Sequence, residues 1–304
     1  MVPTIVCVHG FPDLWYGWRY QIGPWVKRGY RVIAPDMLGY GGTEKPAAAE
    51  EYSMKKLCDD LAALLDLVGV QRVILIGHDW GSYTAGRFAL WHPGRLLALA
   101  MLSVPYVPPT PEYISLEEIV KRVPNFGYQL YFANDESTSE IESNLDRFLR
   151  LMYGRVRPSK PFVQVGNLRE YLLEGEEGTP TKKVHVSDEE LGYYVSKLKS
   201  MQGPLSYYRT TKVRYEENKV TAHFLSLVMN TDFEFLTATL DFSRELTIRD
   251  ACGLTRVLFL GNEGCDLDSW GHCEIEGVHS KDAGYRAGGR RALGHGGGER
   301  GHYE

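Results

Sequence analysis

Val73-Ile74-Leu75-Ile76-Gly77-His78-Asp79-Trp80-Gly81-Ser82 is the stretch of this 304-residue chain that decides its fold. The first four residues are apolar throughout, the composition of a strand buried on both faces of a parallel sheet. Gly77-x-Asp79-x-Gly81 then interrupts the strand, and a helical pattern follows to about His92, before Pro93. Small residues on either side of one functional side chain let a strand turn sharply into a helix and lift that side chain above the sheet. The simplest role for Asp79 is helix N-cap, because aspartate accepts bonds from first-turn amides and suits the positive end of the helix dipole. A carboxylate on such a turn also has chemistry available to it. It is ionised at neutral pH without help and can displace a leaving group at saturated carbon to form an ester. Hydrolysing that ester then calls for a histidine-activated water and for donors to the developing oxyanion.

Outward from this elbow the pattern repeats. Ile5 to Val8 is a short apolar run ending in His9-Gly10-Phe11-Pro12, and Arg31 to Ala34 is a second buried run ending at Pro35-Asp36. Leu97 to Ser103 and Arg256 to Gly261 supply further strands. Between the second and third runs Leu57, Leu61, Leu64, Leu65 and Val68 recur at helical spacing, with Ser53 placed to cap the helix and Gly69 to stop it. Strand and helix alternation of this kind predicts βαβ units and a parallel sheet. From Pro105 to about Arg244 the chain turns aromatic, charged and rich in tyrosine, with no run of parallel-strand type. This predicts a core in residues 1–105, a helical cap in 106–244 inserted between two halves of one sheet, and the last recognisable core strand within 245–263.

A formal charge of −5 gives no basic patch for nucleic-acid phosphates or anionic lipid headgroups, so a small neutral or apolar substrate is the default. Cys7, Cys58, Cys252, Cys265 and Cys273 are odd in number and lack metal-ligand spacing, which points to reduced thiols and a reducing compartment such as the cytosol. No apolar run approaches a membrane span, and the first residues lack the features of a signal peptide. Neither a metal-binding cluster nor a phosphate-cradling glycine loop is apparent, so no cofactor is expected.

The run from Val8 to Ile22, VHGFPDLWYGWRYQI, resembles the first catalytic loop of soluble epoxide hydrolases, and His78-Asp79-Trp80-Gly81 is similar to the elbow of the same family. The similarity extends from about Ile5 to Asn262 and includes Asp36-Met37-Leu38-Gly39-Tyr40-Gly41. The resemblance implies an α/β-hydrolase fold with a mostly parallel sheet and an inserted helical cap. It also implies an Asp79 nucleophile, backbone oxyanion donors at Phe11 and Trp80, and a small apolar epoxide and water as reactants. His9 is expected to brace the loop. Two cap tyrosines separate this family from haloalkane dehalogenases, which share the aspartate elbow. Tyr128-Gln129-Leu130-Tyr131-Phe132 resembles the first tyrosine motif and Gly203-Pro204-Leu205-Ser206-Tyr207-Tyr208-Arg209 the second, which places the roles on Tyr128 and Tyr208. Tyr131 and Tyr207 are the neighbouring alternatives.

Both ends depart from the family pattern. Met1 lies only a few residues before the first strand, so the chain reads as truncated at its N-terminus. Residues 264–304 are dense in glycine and arginine without helical or strand period, an aberrant tail expected to stay disordered. The family's relay acid and histidine are not in register. Displaced by one nucleotide, codons compatible with Ala292 to Glu299 spell His-Trp-Ala-Met-Val-Glu-Glu, the family's histidine motif, so a frameshift near Glu263 is expected. The in-frame candidates for the relay are Asp266 and His295. The alternatives to an epoxide hydrolase are a dehalogenase-type hydrolase and an incomplete protein that binds or is alkylated once without turnover.

Overall fold

Parallel strands must be joined by crossovers of a dozen or more residues, and the helical patterns between the apolar runs supply them. The computed structural model of the chain describes residues 2–182, 184–228, 234–240 and 256–262. Its main sheet contains β1 (Thr4–Val8), β2 (Arg31–Ile33), β3 (Val73–His78) and β4 (Leu96–Leu102). A small antiparallel pair, β5 (Val156–Arg157) with β6 (Thr179–Pro180), stands apart, and β7 (Glu234–Leu240) and β8 (Arg256–Asn262) complete the main sheet. The order is β2-β1-β3-β4-β8-β7, with every pair parallel. Helices α1 (Arg19–Lys27), α2 (Met54–Leu67) and α3 (Trp80–Trp91) make the first three crossovers. Between β4 and β7 lie α4 (Leu116–Arg122), α5 (Gly127–Ala133), α6 (Glu136–Ser143), α7 (Leu145–Met152), α8 (Asn167–Leu173), α9 (Asp188–Lys197), α10 (Gln202–Ser206) and α11 (Thr211–Val228). No helix among the described residues is long and apolar enough to cross a membrane.

Successive side chains of a strand point to opposite faces, and both faces here are covered. Ile5, Cys7, Ile74, Ile76, Ala100 and Leu102 pack with Trp18 and Trp25 on one side. Val6, Val8, Val73, Leu75, Leu99 and Met101 pack on the other with Leu57, Leu61, Leu65 and Phe88 of α2 and α3. Full burial of one aliphatic side chain contributes roughly 1.5–3 kcal/mol, so β1 and β3, buried along almost their whole length, carry more of the stability than the edge strand β2. The expectation of a second buried strand at Arg31 is corrected on this point: Arg31 is exposed, and Val32 and Ile33 are half-buried. Helix α2 forms as its signals predict. The Ser53 Oγ accepts from the Lys56 N–H at 3.2 Å, and Gly69, at φ +69°, takes the left-handed conformation past the helix end.

A second correction concerns the stretch read as free of parallel strands. β7 lies inside residues 106–244 and pairs with β8 at the edge of the sheet. Its sequence interleaves Glu234, Thr237 and Thr239 with apolar residues. An edge strand with one ladder partner does not require the continuous apolar run that marks a central parallel strand, which is why the pattern passed for cap. Cys7 and Cys58 are free and buried, and burial pushes both thiols up. Residues 263–304, including Asp266, His295, Cys265, Cys273 and the expected disordered tail, lie outside the described residues, as does Cys252.

Candidate active site

The chain runs from β1 outward to β2 and then returns to the other flank of β1 for β3. Ligands of parallel α/β sheets bind beyond the carboxyl ends of the strands where the order reverses in this way, and here that point lies between β1 and β3. The loop after β1 and the elbow after β3 meet there. Asp79 sits at φ 53° and ψ −120°, a conformation costing an aspartate on the order of 1–3 kcal/mol that persists only where the surroundings impose it. Glycines clear the space. A Cβ on Gly77 would lie 2.2 Å from the Gly81 carbonyl oxygen, and one on Gly81 would lie 2.1 Å from that of Val8.

The Asp79 side chain makes no capping bond to α3, so the simple N-cap role is overturned. Instead its Oδ1 accepts from the Phe11 N–H at 2.8 Å, and the Trp80 N–H also donates to the carboxylate. The two amides named from the sequence as oxyanion donors converge on the side chain named as nucleophile. Burial pushes the Asp79 carboxyl above the usual carboxylate range, opposed by the nearby His78 and by the Phe11 and Trp80 amides.

The loop that carries Phe11 is braced from several directions. His9 is buried, and its Nε2 accepts from the Met37 N–H at 2.9 Å while its Nδ1 lies 2.9 Å from the Gly10 carbonyl oxygen. That pairing assigns the proton to Nδ1 and the ring to the neutral tautomer, in accord with the burial that lowers its pKa. The bracing role expected of His9 is thus seen in its bonds. Tyr153, following α7, donates to the Pro12 carbonyl at 2.6 Å, and Tyr194 of α9 donates to Asp13 Oδ1 at 2.8 Å. Beside them Glu190 accepts from Tyr20, from the capping-box amide of Ser187 and from Arg19, which together hold its carboxyl down at about 2.

Tyr128 on α5 and Tyr208 in the turn after α10 are both buried, with ring centroids 6.4 Å apart. Burial and the Asp79 charge push both phenols up, so they stay protonated as donors at neutral pH. The neighbouring tyrosines point elsewhere. Tyr207 donates to the Leu38 carbonyl at 3.0 Å, and Tyr131 shares its surroundings with Glu140 and Arg169. Phe11, Trp80 and Phe132 surround the Tyr208 ring at centroid distances of 5.1, 5.1 and 4.9 Å. Sequence reasoning named Phe11 and Trp80 for their amides and missed that their rings also build this aromatic wall. It also missed Tyr153 and Tyr194, whose partners lie far away in the chain. Among the described residues no three histidine, cysteine, aspartate or glutamate side chains converge to hold a metal ion.

Gly10 yields a prediction about this geometry. A Cβ there would lie 2.4 Å from the Asp79 Cβ and 2.6 Å from its Oδ1, against a backbone that cannot retreat. Gly10→Ala is expected to separate Phe11 from Asp79 and to destabilise the fold by about 1–3 kcal/mol. A chemical-denaturation midpoint equal to that of the wild type would contradict it.

A family model described as alpha/beta hydrolase fold matches residues 3–162. The chain is 36% identical over 215 residues to rat bifunctional epoxide hydrolase 2, a match covering 69% of this chain and 38% of that relative's length. It is 35% identical over 255 residues to epoxide hydrolase A of Mycobacterium tuberculosis, covering 79% of this chain and 76% of the relative. Among solved structures, epoxide hydrolase A from Mycobacterium thermoresistibile superposes with a TM-score of 0.64 at 28% identity, covering 85% of this chain and 84% of the other.

Proposed function

Because the chain belongs to the epoxide hydrolases of the α/β-hydrolase fold, we propose that it adds water to a small apolar epoxide to give a vicinal diol, through an ester on Asp79. The observation that carries this proposal is the Asp79 carboxylate held by the Phe11 and Trp80 amides, with two protonated phenols, Tyr128 and Tyr208, within its field. An Asp79 oxygen attacks a ring carbon, the carbon–oxygen bond of the epoxide breaks, and its electron pair goes to the ring oxygen. Tyr128 and Tyr208 donate to that oxygen as charge develops on it. Water attack on the ester then places negative charge on the former carboxylate oxygen, where the two amides await it. Activation of that water falls to a relay for which Asp266 and His295 are the in-frame candidates.

Residues 106–228 act in this proposal as the cap that brings the phenols to the nucleophile. In this proposal no cofactor takes part, nucleic acid is not a partner and the chain does not span a membrane. The buried free thiols of Cys7 and Cys58 support a reducing compartment such as the cytosol.

The test is a rapid-quench reaction with styrene oxide, followed by intact-mass measurement and peptide mapping. The expected result is an added mass of one epoxide on Asp79. Absence of both adduct and diol, or an adduct mapped elsewhere, defeats the proposal. The pH profile has a defined sign. Attack requires the carboxylate, and burial raises the pKa of Asp79 in the folded protein. Adduct formation should therefore be complete above that raised pKa and be lost as pH falls through it, at higher pH than for an exposed aspartate.

A further inference from the structure

Arg214 lies on α11, outside the matched tyrosine motif, yet it touches both halves of the site. Its Nη1 donates to the Tyr207 carbonyl at 2.7 Å and to Thr210 Oγ1 at 2.6 Å, and its Nη2 donates to Thr211 Oγ1 at 3.2 Å. These bonds hold the turn Tyr207–Arg209, which carries Tyr208. The guanidinium carbon also stands 4.9 Å from the centroid of the Trp80 ring. Trp80 in turn meets Tyr208 edge to face, with centroids 5.1 Å apart and planes at 87°.

We propose that Arg214 is a positioning residue for ring opening: it fixes the turn that presents Tyr208 and, as a cation over the Trp80 face, holds the indole ring that packs edge to face against Tyr208. A cation over an aromatic face draws electron density from the ring, so the ring N–H becomes more positive. The Tyr208 ring, held by the turn on one side and by the Trp80 ring on the other, keeps its hydroxyl in one place. A hydroxyl so fixed meets the epoxide oxygen without reorganisation as the ring opens. Arg87 reaches the same cluster by donating to the Tyr83 hydroxyl at 3.1 Å, but it also donates to the Val107 carbonyl, away from the turn. Arg214 alone among the described residues joins the Trp80 face to the Tyr207 carbonyl.

The proposal rests on the assignment of Tyr208 as an alkoxide donor, and two readouts keep the two claims apart. The first is the indole N–H resonance of Trp80 in a two-dimensional nitrogen–proton spectrum of the full chain, assigned with Trp80→Phe. The second is the rate at which styrene oxide alkylates Asp79, followed against pH. In Arg214→Met the Trp80 resonance should move and alkylation should slow by about tenfold, the scale expected for a cation–π pair acting through one bond. Arg214→Lys keeps the cation but not the planar fork. It should retain the resonance position more closely than Arg214→Met while still reacting more slowly than wild type, which also guards against a methionine variant that fails to fold. Wild-type alkylation and an unmoved resonance in Arg214→Met overturn the inference. If the wild type takes up no epoxide, the assigned activity fails, and the Trp80 resonance then decides the Arg214 contact by itself.

Discussion

Replacing Tyr128 and Tyr208 together with phenylalanine is expected to slow alkylation of Asp79 by on the order of a thousandfold, since loss of a single oxyanion donor already costs about 10²–10³ in rate. Epoxide opening differs from most displacements in that the leaving oxygen stays attached and gains charge beside buried side chains. Both phenols are buried, and burial with the Asp79 charge keeps them protonated, so each can give a proton or a strong hydrogen bond as that charge appears. Removing only the hydroxyls leaves the rings in place. The Tyr208 ring would keep its contacts with Phe11, Trp80 and Phe132, and the fold should be little altered. The measurement is single-turnover alkylation by styrene oxide, with 1-chlorobutane as a second substrate. Unchanged epoxide opening in the double variant would remove the two tyrosines from the chemistry. Alkylation by the chloroalkane at a rate the double variant does not lower would favour a dehalogenase instead.

What the sequence makes legible follows from how local each signal is. The elbow is readable because Gly77, Asp79 and Gly81 lie within five residues, and their spacing is imposed by close packing against Val8. Tyr128 and Tyr208 are separable from their neighbours only through flanking residues, because every buried tyrosine looks alike in composition. The supports of the site are of another kind. Tyr153 reaches Pro12 across 141 residues and Tyr194 reaches Asp13 across 181, through bonds between one side chain and one backbone or carboxylate oxygen. Such contacts impose no period on the chain. Arg214 adds a contact to a ring face, which requires no matching residue type at a fixed offset. β7 escaped for a related reason: its place in the sheet is decided by the strand it pairs with and not by its own pattern.

Asp79→Gly is expected to abolish the adduct with styrene oxide completely and at the same time to raise the thermal stability of the chain. The first effect follows from removal of the attacking group. The second follows from two costs that the native residue carries. At φ 53° the backbone is strained for aspartate and open to glycine, which relieves on the order of 1–3 kcal/mol. The carboxylate is also ionised in a buried place. Its folded pKa is raised, so the folded state binds the proton more tightly than the unfolded state does. The resulting penalty is absent below the unfolded pKa and grows to its full size as pH rises through the folded one. Against these stand the Phe11 and Trp80 amides, which lose their acceptor on substitution and each cost about 1–3 kcal/mol unless water replaces it. The balance is read by comparing melting temperatures across pH. The variant's advantage over wild type should be larger at neutral pH than in mild acid, because only the charge penalty changes with pH. A constant difference would mean that the buried charge is not strained by its surroundings, and a variant that still forms the adduct would mean that Asp79 is not the nucleophile.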